Sequence, residues 1–415
     1  MFATMFIKIT HEIPTFLTSK ILRLNHDKLV MDVPHFVLKP EWQKLVTYVP
    51  NKKLPVYNWF YYKEGFSRDI VMYFLKKWKV KNLLDPFCGV GTTLVACKEM
   101  GIDAFGFDVL PICILASRVK TYDYNINQLK DAVSMIKKSR FEMPDKTHVS
   151  KYVKRFFNPH ILNDVLFFRD FLKKHFSGKI YDFLLLGLIS SAIRCSYIYK
   201  DGAVLKVVKH PVPPFRKYYL RLLNRMINDL KKIRFKPCKI FVENVDTRFI
   251  PDDVKNNLEG NIEGVITSPP YLNKIEYSKI YKIEEMLFFS DTKTRPIRSF
   301  IGEDYKDVEP IFPDMDLPTE ANAYLRDIKT VLENLYSLCK KNSHLAVIIG
   351  TAWFGDVKSP EKSIHVECDV LLSRIAELLG FETEKIYIVA ERFFTINRTL
   401  KIGKARESIV VLKRV

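Results

Sequence analysis

The sequence predicts an α/β fold in which helices cover a mostly parallel sheet. Short apolar runs with strand character alternate with helical patterns over residues 67–120, and the alternation resumes after residue 236. Strands that alternate with helices over short links are typical of parallel sheets. The chain has 415 residues, of which 47% are hydrophobic. This is enough for one such domain with a sizeable insertion or flank.

The first part of the predicted domain contains two strands. The apolar residues of 67–79 recur at helical spacing, and Ser67 is placed to cap that helix. A strand, a glycine turn, a helix, a second strand and a helix opened by Pro111 follow. These four elements are predicted over residues 82–85, 92–100, 104–108 and 111–120.

The segment 122–236 is helical in period and rich in Lys, Arg, Phe and Tyr, so it predicts an insertion rather than more sheet. Beyond it, further strands are predicted over 239–245, 264–267, 345–350, 384–389 and 408–412, and further helices over 275–289, 319–340 and 366–379. The total is seven strands, and the last two should form an antiparallel hairpin because only a loop separates them. The predicted organisation is therefore an N-terminal extension of unknown role, a first part of the domain, a helical insertion and a second part, over 1–50, 51–121, 122–236 and 237–415.

The charge balance favours a polyanionic partner. Lys and Arg number 66 against 47 Asp and Glu, a formal net charge of +19 that is spread along the chain. Nucleic acid is the partner that such an excess favours, although a lysine-rich proteome would give the same charge.

The cysteines and the apolar segments bear on localisation. The 7 cysteines are scattered without a C-x-x-C pair, which predicts reduced thiols in a cytoplasmic protein rather than disulfides or a zinc site. Neither a signal peptide nor a membrane span is visible, so we expect a soluble protein. The histidines show no metal-ligand spacing, and no metal is predicted.

The first chemical motif is D-P-F-C-G-V-G-T-T at 85–93, where a strand ends and a helix begins. Glycines there allow a ligand to approach the backbone, and the helix N-terminus offers N–H donors. A phosphate-binding loop would need Lys after Gly91, and a dinucleotide fingerprint would need Gly in place of Leu94, so both are excluded. Asp108 ends the next strand, where a carboxylate can accept both ribose hydroxyls of an adenosyl ligand. Alternatively, Asp108 caps the helix that opens near Pro111.

The second motif is I-T-S-P-P-Y at 266–271, again directly after a predicted strand. The two prolines stiffen the loop and remove two N–H donors. The Ser268 hydroxyl and the Pro269 carbonyl are suited to hold the hydrogens of an exocyclic base amine, and Tyr271 is suited to stack on an extruded base. For this motif alone, an ordinary Pro-Pro turn is the alternative. The conjunction of the two motifs favours the chemical interpretation.

Together the motifs resemble those of the S-adenosylmethionine-dependent DNA amino-methyltransferases, most closely the cytosine-N4-specific members. Residues 85–93 are similar to the cofactor motif D-P-F-x-G-x-G-T-T, and T-S-P-P-Y is similar to the catalytic motif in its cytosine-N4 form. Adenine-N6 members more often carry Asp or Asn in place of Ser268. The resemblance extends to 57–60, 66–67, 200–202, 272–277 and 403–408. It implies a class I methyltransferase fold, which is Rossmann-like, with a seven-stranded sheet that a helical insertion interrupts.

The resemblance also implies roles for individual residues. The target-base pocket would be formed by Ser268, Pro269, Pro270 and Tyr271. The cofactor pocket would be formed by Tyr57, Asp85, Phe87, Gly89, Gly91, Thr92, Asp108 and Asp246. Within that pocket, Asp108 would face the ribose and Asp246 the adenine ring. The insertion falls where one branch of the family keeps its target-recognition region.

The implied activity is methylation of cytosine N4 in DNA with S-adenosylmethionine as cofactor, either beside a restriction enzyme or as an orphan enzyme. The same chemistry on RNA, ribosomal RNA foremost, and adenine-N6 methylation of DNA are the alternatives. A non-catalytic nucleic-acid-binding protein is a third possibility, which the intact motifs disfavour. Cytosine-C5 methylation is excluded, because the only Pro-Cys, Pro237-Cys238, is followed by Lys rather than Gln.

Overall fold

A computed structural model describes residues 36–201, 204–272, 277–289, 308–356, 359–396 and 400–415. The strands are β1 (Phe36–Leu38), β2 (Asn82–Asp85), β3 (Asp103–Asp108), β4 (Ile198–Asp201), β5 (Val204–Val207), β6 (Ile240–Asn244), β7 (Ile262–Thr267), β8 (Cys339–Gly350), β9 (Ala352–Asp356), β10 (Ser359–Val366), β11 (Phe381–Ile396) and β12 (Leu400–Arg414). The α-helices are α1 (Arg68–Trp78), α2 (Thr92–Met100), α3 (Pro111–Thr121), α4 (Ile126–Lys138), α5 (Lys151–Lys154), α6 (Pro159–His175), α7 (Gly178–Arg194), α8 (Phe215–Lys232), α9 (Asp252–Leu258), α10 (Tyr277–Ile280), α11 (Lys282–Phe288), α12 (Thr319–Leu338) and α13 (Cys368–Leu378).

Eight strands form the main sheet in the order β1-β11-β12-β8-β7-β2-β3-β6. The pairs β2–β3, β2–β7, β3–β6 and β7–β8 are parallel, whereas β12 runs antiparallel to both β11 and β8. The predicted α/β class, the seven strands and their C-terminal hairpin are therefore confirmed. The structure adds an eighth strand, because β1 pairs with the edge of β11.

Two small hairpins also lie outside the prediction. Strands β4 and β5 pair antiparallel within the insertion, and β9 pairs antiparallel with β10 after β8. The insertion is thus helical with one two-stranded ribbon. The helix predicted over 275–289 is divided into α10 and α11, and its first two residues lie outside the described residues.

The chain reverses its direction of travel across the sheet at β2. From β2 it proceeds outward to β3 and β6, and it then returns to the other side of β2 to form β7 and β8. Strands β2 and β7 share a single paired position, Leu84 with Val265. In open parallel sheets, ligands bind outside the carboxyl ends of the strands at such a switch point.

Helix α1 precedes β2, and its local sequence explains where the helix begins and ends. The buried Ser67 hydroxyl accepts a hydrogen bond from the Asp69 backbone N–H at 3.0 Å, as the predicted cap requires. The helix buries its apolar stripe and ends where Lys79 adopts a left-handed φ of 55°. Within the described ranges, no helix is long and apolar enough to cross a membrane.

The insertion shares a hydrophobic core with the sheet's helical layer. Trp59 precedes α1 and is buried, and its ring meets that of Phe183 in α7 edge-on at 5.5 Å. The Trp59 indole N–H donates a hydrogen bond to Asp229 in α8 at 3.2 Å. The backbone carbonyl of Trp59 accepts a hydrogen bond from the Ser190 hydroxyl at 2.7 Å. One hydrophobic cluster joins the segment before α1 and helix α3 to helices α4 to α8. The insertion is therefore packed on the domain rather than attached by a linker.

Replacement of Phe183 tests this shared core. Because its side chain is fully buried, Phe183→Ala is expected to lower the free energy of unfolding by about 3–5 kcal/mol. Urea unfolding followed by tryptophan fluorescence and by circular dichroism should shift together. The exposed Met135→Ala in α4 is the matched control, with an expected change below about 0.5 kcal/mol. A fluorescence transition that shifts while the circular dichroism transition stays in place would contradict the shared core.

Candidate active site

The first motif forms a tight loop between β2 and α2, and α3 holds that loop in place. Gly89 and Gly91 have φ angles of 50° and 79°. A Cβ atom at Gly91 would lie 3.0 Å from the Ser117 Cα atom, so this position requires glycine. The Ser117 hydroxyl donates to the Gly89 carbonyl at 2.8 Å, and the Lys120 ammonium donates to the Val90 carbonyl at 3.0 Å. The loop is thus anchored by its carbonyl oxygens.

Asp108 stands at the carboxyl end of β3, beside this loop. Its Oδ2 atom accepts the Gly89 backbone N–H and its Oδ1 atom accepts the Leu110 backbone N–H, both at 2.9 Å. Burial raises the pKa of Asp108 to about 6, although these hydrogen bonds oppose the shift. The carboxylate therefore supports the start of α3, and it also lines a cavity at the carboxyl edge of the sheet.

Asp85 joins the first motif to the second. Its fully buried carboxylate accepts the Thr267 hydroxyl at 2.7 Å and the Phe87 backbone N–H at 3.2 Å, both at Oδ1. Burial raises the pKa of Asp85 to about 6, and the hydroxyls of Thr93 and Thr267 lower it in part. Thr267 lies 182 positions further along the chain, so this hydrogen bond brings distant segments together at the switch point.

The second motif continues from β7 into a loop that is held from two sides. The buried Tyr324 hydroxyl donates to the Pro270 carbonyl at 3.1 Å. The Tyr271 hydroxyl donates to Glu407 Oε1 in β12 at 3.0 Å. Ser268 and Pro270 face the cavity. The stiff loop therefore presents the Ser268 hydroxyl at the end of β7.

A third loop follows β6 and carries Asp246. The Arg248 guanidinium donates to both Asp246 oxygens, at 3.1 and 2.7 Å, and to Asp327 at 2.9 Å. The Thr247 hydroxyl donates to the Pro86 carbonyl at 2.6 Å. This loop is thus fixed to both the first motif and helix α12.

The three loops and the segment before α1 enclose one cavity at the carboxyl edge of the sheet. The structure brings together seven of the predicted site residues on its wall, namely Phe87, Gly89, Thr92, Asp108, Asp246, Ser268 and Pro270. The switch point therefore unites residues that the sequence assigned to a cofactor pocket and to a target-base pocket.

The other five predicted residues lie behind or beside this wall. The resemblance implies that Tyr57, Asp85 and Gly91 line the cofactor pocket, and this role stays a prediction; the three residues are buried and are not part of the cavity wall. Tyr57 is buried and its hydroxyl donates to Glu99 at 2.6 Å. Asp85 contacts Thr267 of β7, and Gly91 packs against Ser117 of α3. Pro269 is buried within its loop, and Tyr271 extends toward β12.

The wall also contains residues that the sequence analysis missed. Tyr62 and Glu64 come from the segment before α1, next to Phe66, which the resemblance includes, and Thr247 and Arg248 follow Asp246 directly. Two features of the sequence could have indicated these residues. The segment before α1 is rich in aromatic residues, and Thr247 and Arg248 come shortly after a predicted strand. Neither signal specifies which side chains reach the wall.

The chemistry of the wall suits a nucleoside ligand. The carboxylates of Asp108 and Asp246 can accept hydroxyl or amino hydrogens, and Phe66, Phe87 and Leu110 offer apolar surface to a base. Thr92, the first residue of α2, also lies on the wall, and the first turn of a helix has backbone N–H groups without intrahelical partners. Within the described part of the chain, no group of three or more His, Cys, Asp or Glu residues is placed to hold a metal ion.

The strand order, the antiparallel β12 and a site at the switch point define a Rossmann-like fold of the class I methyltransferase type. No protein-family model matches the chain. It is similar to the Type II methyltransferase M.BsoBI of Geobacillus stearothermophilus, with 26% identity in an alignment that covers 90% of this chain and 88% of the relative. It is also similar to the Type II methyltransferase M.AvaI of Anabaena variabilis, with 23% identity covering 84% and 83%.

A comparison with solved structures adds no argument about function. The rRNA methyltransferase aviRa from Streptomyces viridochromogenes is 12% identical, and the match covers 84% of this chain and 85% of that chain. Its TM-score is 0.26, which is too low to support a shared activity.

The link between Asp85 and Thr267 can be tested through stability. Thr267→Val removes the hydroxyl that donates to the buried carboxylate, so we expect a loss of about 1–3 kcal/mol in the free energy of unfolding. The pKa of Asp85 should rise, because the Thr267 hydroxyl lowers it. Thr267→Ser keeps the hydroxyl and should retain most of the stability. Equal denaturation midpoints for wild type and Thr267→Val at pH 7 would show that the bond is dispensable.

Proposed function

We propose that this chain is an S-adenosylmethionine-dependent DNA methyltransferase that methylates N4 of cytosine. The observation that carries the proposal is the single cavity shared by Ser268, Gly89 and Asp108. Similarity to Type II methyltransferases along most of the chain supports methyl transfer. The serine of T-S-P-P-Y supports the cytosine-N4 assignment within that class.

The residues of the wall fit the proposed cofactor. Asp108 would accept hydrogen bonds from the ribose hydroxyls, and Asp246, fixed by Arg248, would lie toward the adenine amino group. The glycine loop would hold the methionine portion. When bound, S-adenosylmethionine supplies a methyl group from its sulfonium sulfur, which becomes a neutral thioether.

The second motif would position the target base. The Ser268 hydroxyl and the Pro269 carbonyl would accept the two amine hydrogens and so direct the nitrogen lone pair toward the methyl group. The Tyr271 ring would stack on a base extruded from its duplex, with its orientation set by Glu407. The nitrogen gains a methyl group and releases one proton to solvent. Catalysis then depends on positioning and charge placement, without a covalent enzyme intermediate.

The insertion would supply contacts to the nucleic acid. In this proposal, residues 51–121 and 237–415 form the methyltransferase and residues 122–236 recognise the target. Helices α6 and α8 end in exposed basic residues, among them Lys174 and Lys231. Contacts between such residues and phosphates are the usual source of affinity for DNA.

The proposed role of Asp108 predicts how cofactor affinity depends on pH. The pKa of Asp108 is about 6, so the accepting carboxylate is present above this pH and is lost below it. Affinity should therefore be full above pH 6 and fall about tenfold per pH unit below it. Asp108→Asn should weaken binding by roughly 1–3 kcal/mol and flatten this dependence. The measurement is calorimetric titration with S-adenosylmethionine.

Asp103→Asn is the matched control for that titration, because Asp103 lies at the opposite end of the same strand. It should bind the cofactor as wild type does. If Asp108→Asn binds the cofactor with unchanged affinity, Asp108 only supports the start of α3 and does not contact the cofactor.

The target-base residues can be tested by single-turnover transfer at saturating cofactor. Ser268→Ala should reduce the rate roughly 10- to 100-fold while cofactor binding is retained, since its effect belongs to the transition state. Tyr271→Ala should lose roughly 1–3 kcal/mol of stacking, whereas Tyr271→Phe should keep much of it. Wild-type rates in both alanine variants would contradict the mechanism.

The product nucleoside decides the substrate and the base. The wild-type protein should be incubated with labelled cofactor and either genomic DNA or ribosomal RNA, and the digest analysed by mass spectrometry. N4-methylcytosine in DNA is the expected product. N6-methyladenine, 5-methylcytosine or methylated RNA without methylated DNA would each overturn the assignment.

A further inference from the structure

Lys200 is a basic residue of the insertion that faces inward. It lies in β4 opposite Leu205 of β5, and the neighbouring pair, Tyr199 with Lys206, lies on the other face of the ribbon. Tyr199 and Lys206 are exposed, whereas the Lys200 side chain is only 23% exposed. The alternation of side chains along a strand thus turns Lys200 toward the domain.

The partner of Lys200 is a carboxylate with no exposure of its own. The Lys200 ammonium lies 2.7 Å from Glu284 Oε1 in α11, and the Glu284 side chain is 0% exposed. Among the described residues, Glu284 Oε2 has no hydrogen-bond partner. Loss of one member of a buried ion pair leaves an uncompensated charge, which is strongly destabilising. Lys200 therefore supplies the charge that compensates the buried Glu284 carboxylate.

The same ammonium connects to the cavity wall through one aromatic ring. It lies 3.6 Å from the ring centroid of Tyr281, the residue before α11. The Tyr281 ring stacks on Tyr62 with centroids 5.3 Å apart and an interplanar angle of 17°. The Tyr281 hydroxyl donates to Glu64 at 2.9 Å. Tyr62 and Glu64 both line the cavity, so Tyr281 contacts both Lys200 and that wall.

We propose that Lys200 is a positioning residue that makes the shape of the cofactor cavity depend on the docked β4–β5 ribbon. The ion pair with Glu284 and the contact with the Tyr281 ring hold α11 against the domain, and Tyr281 in turn holds Tyr62 and Glu64 at the wall. The insertion thereby sets the cavity that the methyl donor would occupy. The identity of that ligand rests on the proposed function. The link from Lys200 through Tyr281 to Tyr62 and Glu64 does not depend on it.

Lys200→Met tests the link by two readouts in the full-length protein. Amide hydrogen exchange over residues 62–66 and over α11 should become at least about tenfold faster, because Glu284 loses its partner. Affinity for S-adenosylmethionine, measured by calorimetry, should fall on the order of tenfold. Lys200→Arg keeps the charge and the ring contact and should restore both readouts.

Lys206→Met is the matched control, since Lys206 pairs with Asp201 at 2.6 Å on the exposed face of the same ribbon. It should leave exchange over 62–66 and cofactor affinity at wild-type values. Lys200→Met combined with Glu284→Gln removes both charges, so it keeps the test valid if the single variant does not fold. This double variant should recover folding without recovering slow exchange at 62–66, because the ammonium over Tyr281 is still missing.

Unchanged exchange over 62–66 in Lys200→Met, or equal effects of Lys200→Met and Lys206→Met, would overturn the proposal. Faster exchange in Lys200→Met alone supports it. If that exchange response occurs while the wild-type protein binds no S-adenosylmethionine, the link stands and the proposed function fails. The two failures are therefore distinguishable.

Discussion

The hydrogen bond between the Thr267 hydroxyl and the Asp85 carboxylate joins the two loops on which the candidate site depends. Strands β2 and β7 pair at Leu84 with Val265, just before Asp85 and Thr267 at their carboxyl ends. Burial of the Asp85 carboxylate is unfavourable and raises its pKa to about 6, and the donated hydroxyl offsets part of that penalty. The bond thus connects a glycine loop and a serine loop that lie far apart in sequence.

The remaining polar groups extend this support around the cavity. Asp108 ties β3 to the glycine loop, and Arg248 holds Asp246 while it contacts α12 through Asp327. Side chains whose positions are set before a ligand binds need little reorganisation when it does. The proposed link through Lys200 applies the same logic to the wall that faces the insertion, where a buried ion pair fixes a helix. In this proposal, the site is held both from the sheet and from the insertion.

Local periodicity was sufficient to predict the sheet, and the residue types in two short motifs were sufficient to predict where the cavity lies. The three residues of β1 and the four of each strand in the β4–β5 ribbon were missed because, unlike the equally short β2, none of them leads through a glycine turn into a helix. Tyr62 and Lys200 were not assigned to the site because their contacts, with Tyr281 and with Glu284, join segments that are distant in sequence. Tyr57, Asp85 and Gly91 illustrate a different limit: a motif identifies constrained positions, but not whether a ligand or the packing behind it imposes the constraint.

The central claim is that the two motifs form one site for S-adenosylmethionine chemistry at the switch point. The most direct test is a crystal structure of the protein with S-adenosylhomocysteine, the demethylated product of the cofactor. The ligand should lie between the glycine loop and Ser268, with its ribose hydroxyls on Asp108 and its sulfur on the side of the cavity nearest Ser268. A ligand bound away from this cavity, or in it with the sulfur turned away from Ser268, would contradict the account.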